Sequence, residues 1–212
     1  MAKVQGIKEK LHWPLYDAFV VPEKNGGPAP TFQTEMDKRD SRILRFFVDV
    51  QNKTRLETNL QASGTLPSLN SYEVRAMRVV VSPLLRHGKY SKGDEPSKDT
   101  DNVLADLIYT SVTSLIVGEK TMIEMPTYYF PAGAGVSPGN QSLPSHGQPD
   151  PMATFRFSEP VPIEPNQNFR VEMLFPQKVP TGSGSGPVRL GDATGPMRLW
   201  VVLDGYLTRD VQ

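Results

Sequence analysis

The chain of 212 residues contains no cysteine, which excludes a disulfide framework, a thiol nucleophile and a thiolate metal site. Histidine is scarce. His12, His87 and His146 are isolated from one another, and HxH, HxxxH and HExxH spacings do not occur. Zinc or cupin-type iron therefore has no local ligand pair. No sign of charge dominates, since Lys+Arg and Asp+Glu are 23 each, so no basic field recruits nucleic acid or an anionic membrane. No apolar run approaches the ~18 residues of a membrane span. The opening MAKVQGIKEKLHW has no apolar core of signal-peptide length. These absences lead us to expect a soluble protein made in a cytoplasm.

Breakers and short alternating segments are what the chain has. Gly and Pro together make about 17% of it, above the usual ~12%, and they separate the segments as in a sandwich or barrel. The organising stretch is FRFSEPVPIEPNQNFRVEMLF, residues 155–175. Phe155 and Phe157 share a face. Further on, Phe169, Val171, Met173 and Phe175 oppose Asn168, Arg170, Glu172 and Leu174. A period of two marks a strand buried on one side. Pro160, Pro162 and Pro165 cannot donate ladder hydrogen bonds, so the chain is expected to leave the sheet there and return through Asn166-Gln167-Asn168.

Residues 1–41 read as an extended arm rather than part of the sheet, because EKNGGPAPTF interrupts Trp13, Leu15, Tyr16, Phe19, Val20 and Val21 at once. Residues 42–212 read as a single domain. Its strands are ILRFFVDV, a weaker RLETNL, YEVRAMRVVVS, a strand from about Ser111 to Val117, KTMIEM, the two strands of the organising stretch, and the closing RLWVVLDGYLTRDVQ, in which Leu199, Val201 and Leu203 oppose Arg198, Trp200 and Val202. One helix is predicted, DNVLADLIYTS, with Val103, Leu104, Leu107 and Ile108 at helical spacing and Thr100 or Asp101 as its cap. From 131 to 151 and from 176 to 196, nine of 21 residues are Gly or Pro, and both tracts read as surface excursions. About eight strands joined by uneven loops favour an all-β, eight-stranded jelly-roll sandwich over an up-and-down barrel.

Chemical motifs lead nowhere. SHGQPD (145–150) places Ser, His and Asp on consecutive loop residues, whereas a triad is assembled from distant rigid segments. GSGSG (182–186) lacks the Gly-Lys-Ser/Thr of a phosphate loop, and GAGVSPG (133–139) fails the dinucleotide pattern. DEPSKDTDN (94–102) lacks the glycine and spacing of a calcium loop. Glu159 and Glu164 read as surface charge. We expect neither enzymatic activity nor a metal or other cofactor.

Four segments carry a resemblance: TNLQASGTLPSLNSYEVRAMRVVVS (58–82), IEMPTYYFPAGAGV (123–136), FSEPVPIEPNQNFRVEML (157–174) and LWVVLDGYLTRDVQ (199–212). In their order the chain resembles the jelly-roll capsid proteins of icosahedral, tailless bacteriophages and related prokaryotic viruses, over roughly residues 42–212. The resemblance implies a structural virion subunit that is made in the host cytoplasm, forms capsomers and tiles a shell. The partners it implies are copies of the chain, other capsid proteins such as a penton or second jelly-roll subunit, and an internal viral membrane where there is one, with no direct hold on nucleic acid. Trp13, Tyr16 and Phe19 of the arm, with Tyr128, Tyr129 and Phe130, are the candidate subunit-interface residues. The alternative is a carbohydrate- or receptor-binding β-sandwich, a lectin-like spike module, with Tyr128, Tyr129, Trp200 and Tyr206 as its sugar platform. A cupin-like enzyme shares the fold but needs ligands this chain does not show.

Overall fold

The computed structural model describes residues 8–23, 25–39, 42–67, 69–82, 99–130, 154–182 and 188–210. Their strands are β1 (Lys8–His12), β2 (Leu15–Val21), β3 (Ile43–Phe46), β4 (Ser71–Ser82), β5 (Val112–Val117), β6 (Lys120–Pro126), β7 (Phe155–Ile163), β8 (Phe169–Leu174) and β9 (Met197–Asp210). Two helices, α1 (Phe32–Asp37) and α2 (Asp99–Tyr109), accompany them. All pairings are antiparallel. One sheet has the order β1-β9-β4-β7 with β2 also on β9, and the other has the order β3-β8-β5-β6.

β1 and β2 pair with successive stretches of one edge of β9, Tyr206–Asp210 and Met197–Leu203. The Trp13 N–H still donates to Gly205 O (3.1 Å) across the interruption at Pro14. They act as one broken strand, which leaves four strands per sheet. Apart from the β5–β6 hairpin, each successive strand then crosses to the opposite sheet. This is the jelly-roll order.

The eight-strand expectation therefore holds, but with one strand exchanged. RLETNL is a turn, in which only Thr58 makes a bridge, to Asp17. The missing strand lies in the segment read as an arm: residues 15–21 are inside the sheet, and Leu15, Phe19 and Val21 belong to the core. Burying such side chains stabilises by roughly 1.5–3 kcal/mol each. Two features hid the strand. Asp17 occupies a core-facing position opposite Val201 and spoils the alternation. The Gly- and Pro-rich stretch that follows looks like linker but leads into α1.

That helix was not expected from the sequence. Thr31 caps it, with Thr34 completing the box, and it buries Phe32 and Met36. Phe32 meets Phe19 and Phe175 edge-on, with ring centroids 5.2 and 6.1 Å away, so the supposed arm is packed into the core.

Asp17 is satisfied where it is buried. Its carboxylate accepts the Phe47 N–H (2.7 Å) and both oxygens meet Lys53 Nζ at 2.8 and 2.9 Å. Phe47 has φ +69°, which ends β3 four residues short of the run expected as far as Val50. Burial nonetheless holds the Asp17 carboxyl above its ordinary value. Lys53 and the Phe47 N–H pull it back only in part.

The organising stretch behaves as its alternation predicts, with Phe169, Val171, Met173 and Phe175 all buried. The prolines do not eject the chain from the sheet, however. β7 continues through Pro160 and Pro162 as an edge strand, where missing N–H groups cost no ladder bond, and its register on β4 shifts between Val74 and Ala76. Only after Ile163 does a turn, with Asn166 at φ +61°, carry the chain to β8 in the other sheet.

β4 bulges at Arg75, so the buried face passes from Tyr72 and Val74 to Met77 and Val79. Opposite the bulge a Cβ at Gly205 would lie 1.9 Å from Glu73 O, so only glycine fits. The helix predicted at DNVLADLIYTS is α2, and β5 starts at Val112 as expected. Asp106 of α2 accepts both Arg189 Nε and Nη2 (2.8 and 2.7 Å) and the Leu190 N–H (3.1 Å). The second Gly/Pro tract is thus not all surface excursion, since Val179, Leu190 and Ala193 are buried. The first tract lies outside the described residues.

Candidate assembly surface

β6 ends at Pro126 and runs into a 3-10 turn, Thr127–Tyr129, whose inner side is held by buried hydroxyls. Thr127 Oγ1 lies 2.6 Å from Ser111 Oγ and 2.7 Å from Thr113 Oγ1, and the Thr127 N–H donates to Ser111 O (3.0 Å). On the far side of the turn Phe130 is fully buried, its ring edge-on to Phe155 at 5.2 Å, and its carbonyl accepts the Val79 N–H. With both ends anchored, Tyr128 and Tyr129 are left outside. They stack at 4.8 Å, and Tyr109 at the end of α2 stands 6.1 Å from Tyr128. The three are 47%, 49% and 71% exposed.

The outer face of the second sheet continues this apolar surface. Ile43 opposes Leu174, Leu174 opposes Val112 and Val112 opposes Pro126, so one row of apolar side chains crosses all four strands and ends where the tyrosine turn begins. Inward neighbours on each side of the row are core residues (Leu44, Met173, Thr113), which fixes the row as outward-facing. Leu174 is 38% exposed. The next row reads Arg45, Glu172, Ser114, Glu124, with Glu172 between Arg45 (3.5 Å) and Arg170 (2.7 Å).

Of the six residues expected at an interface, the structure brings together Tyr128 and Tyr129. Phe19 and Phe130 are corrected to core residues, because each closes a layer of the sandwich and has no surface to offer. Trp13 is half-exposed at the break between β1 and β2, and its carbonyl accepts the Tyr72 hydroxyl (2.7 Å). Tyr16 is spent on its own chain, its hydroxyl donating to Arg55 O. Sequence reasoning missed Tyr109, Ile43, Val112, Leu174 and Pro126. The signal was there at Leu174, an aliphatic residue on the face shared with Arg170 and Glu172.

The four aromatic residues of the sugar platform do not converge. Trp200 donates Nε1–H to Leu56 O (2.9 Å), and the Tyr206 ring lies between Lys10 and Arg75 at 5.2 and 5.0 Å and beside His12 at 5.7 Å. Neither touches the tyrosine stack. An open cleft of about 790 Å³ lies beside β2 and α1, lined in part by Glu35, Arg39, Asp49, Lys53 and Glu57. Its charges engage one another or their neighbours: Lys53 meets Asp17, Arg39 meets Asp49 at 3.8 Å, and Glu57 meets Arg198 at 3.6 Å. No nucleophile with an adjoining base is assembled in it.

Among the described residues, no group of three or more His, Cys, Asp or Glu side chains is placed to hold a metal ion, and no helix is long and apolar enough to cross a membrane. His87, His146, SHGQPD, GAGVSPG and most of GSGSG lie outside the described residues, as does the start of DEPSKDTDN. Comparison with family models, with curated proteins and with solved structures finds no match for this chain.

Proposed function

We propose that the chain is a structural subunit of an icosahedral virion shell, of the kind found in tailless prokaryotic viruses, that associates with copies of itself and carries out no catalysis. A jelly roll hosts many functions, so the fold alone decides little. The observation that carries the reading is the apolar band of Ile43, Leu174, Val112 and Pro126, continued by a rigidly anchored stack of exposed tyrosines. Contiguous apolar surface rimmed by charge marks a protein–protein contact, and tyrosine is enriched at such contacts. Supporting it is the resemblance of residues 42–212 to jelly-roll capsid proteins.

Electron microscopy of the purified full chain tests this directly. Ordered capsomers or closed shells are expected, and a Leu174→Asp variant should melt within about 0.5 kcal/mol of wild type, as exposed substitutions do, yet not assemble. A chain that remains a monomer at every concentration overturns the proposal. The stacked tyrosines also suit the face of a sugar ring, which sustains a lectin-like module as the second reading. Saturable glycan binding by a small oligomer, abolished by Tyr128→Ser, would select it.

A further inference from the structure

The two outermost rows of the β3-β8-β5-β6 sheet carry a pattern that is complementary to itself. Read across the strands, the apolar row is Ile43, Leu174, Val112, Pro126, and the charged row is Arg45, Glu172, Ser114, Glu124. We propose that this face pairs with the same face of a second copy, about a two-fold axis that runs parallel to the strands and midway between β8 and β5. The inference rests on the reading of the chain as a self-assembling subunit and names one of its contacts.

Such an axis lays β3 over β6 and β8 over β5 of the other copy. Ile43 then faces Pro126 and Leu174 faces Val112, so apolar meets apolar along the whole row. In the adjoining row Arg45 faces Glu124, twice in the dimer because the contact is isologous, and Glu172 faces the small, buried Ser114, so it meets no like charge. A two-fold axis at right angles, along the charged row, sets each strand over itself, so that Arg45 meets Arg45 and Glu172 meets Glu172. That arrangement sets like charges face to face and carries the apolar row of one copy away from that of the other, so only the axis parallel to the strands matches both rows. Sheets packed this way stand about 10 Å apart, within reach of Leu and Arg side chains from both sides.

Sedimentation of the full chain over a concentration series, with each variant's melting temperature recorded, provides the test. Arg45→Glu and Glu124→Arg should each weaken self-association roughly tenfold or more, and the two together should restore it. Arg45→Gln removes the cation without setting a second carboxylate beside Glu172, and should weaken association as well. Single variants that associate like wild type, or a double variant no better than the singles, overturn the proposed contact. If shells still form in that case, only this contact falls. A wild-type chain that never leaves the monomer removes both the contact and the assembly reading.

Discussion

Asp17 occupies a core-facing position of β2 with Lys53 as its cation among the described residues, at 2.8 and 2.9 Å. Because burial raises its folded pKa, the proton favours the folded state. The corresponding stability is therefore present in full below the unfolded value of ~3.9 and is lost as pH rises through the folded value. Lys53→Met removes the cation and leaves a buried carboxylate uncompensated, which costs about 3–5 kcal/mol when ionised. Urea unfolding should show that loss at pH 8 and a clearly smaller one at pH 4, where Asp17 takes up its proton. Equal losses at the two pH values would show that the pair does not work this way.

At the scale of elements, β2 and α1 decide whether residues 8–37 are accessory or essential. An arm laid outside the domain would leave a truncated chain folded. The structure predicts the opposite for deletion of residues 1–21. The edge of β9 loses its partner, and Leu15, Phe19 and Val21 leave the core, worth roughly 5–9 kcal/mol against a total of ~5–15. Circular dichroism should show an unfolded or aggregated product. Strands whose alternation is unbroken were legible in the sequence: β8 and β9 lie where their patterns put them, as does the helix-to-strand change near Ser111, and β4 was legible as a strand while the bulge at Arg75 that moves its buried face was not. β2 was illegible because its inward aspartate is neutralised by a lysine from a distant loop, a partnership that no local window displays. The tyrosines of the candidate surface were visible as residue types. The row that joins them was not, since it comes from register across four strands rather than from spacing along one.

For the molecule as a whole, the two outer faces differ in kind. Both carry ion pairs, Lys10 with Glu73 (2.9 Å) and Arg78 with Asp204 (2.8 Å) on the β1-β9-β4-β7 sheet and Glu172 with Arg45 and Arg170 on the other, but the second also carries the apolar band that runs into the tyrosine turn. The position of β9 has a further consequence. It lies between β1 and β2 on one edge and β4 on the other, so three segments from early in the chain share a partner that is made near its end. At about 5–20 residues per second, β2 leaves the ribosome roughly ten to forty seconds before the residues it must pair with. For that interval its apolar side chains have no native shelter. Nascent chains stalled just before Met197 should be digested by protease throughout, whereas chains released after Asp210 resist it. Holdase chaperones that bind exposed apolar segments then have a window on this protein whose length is set by translation speed.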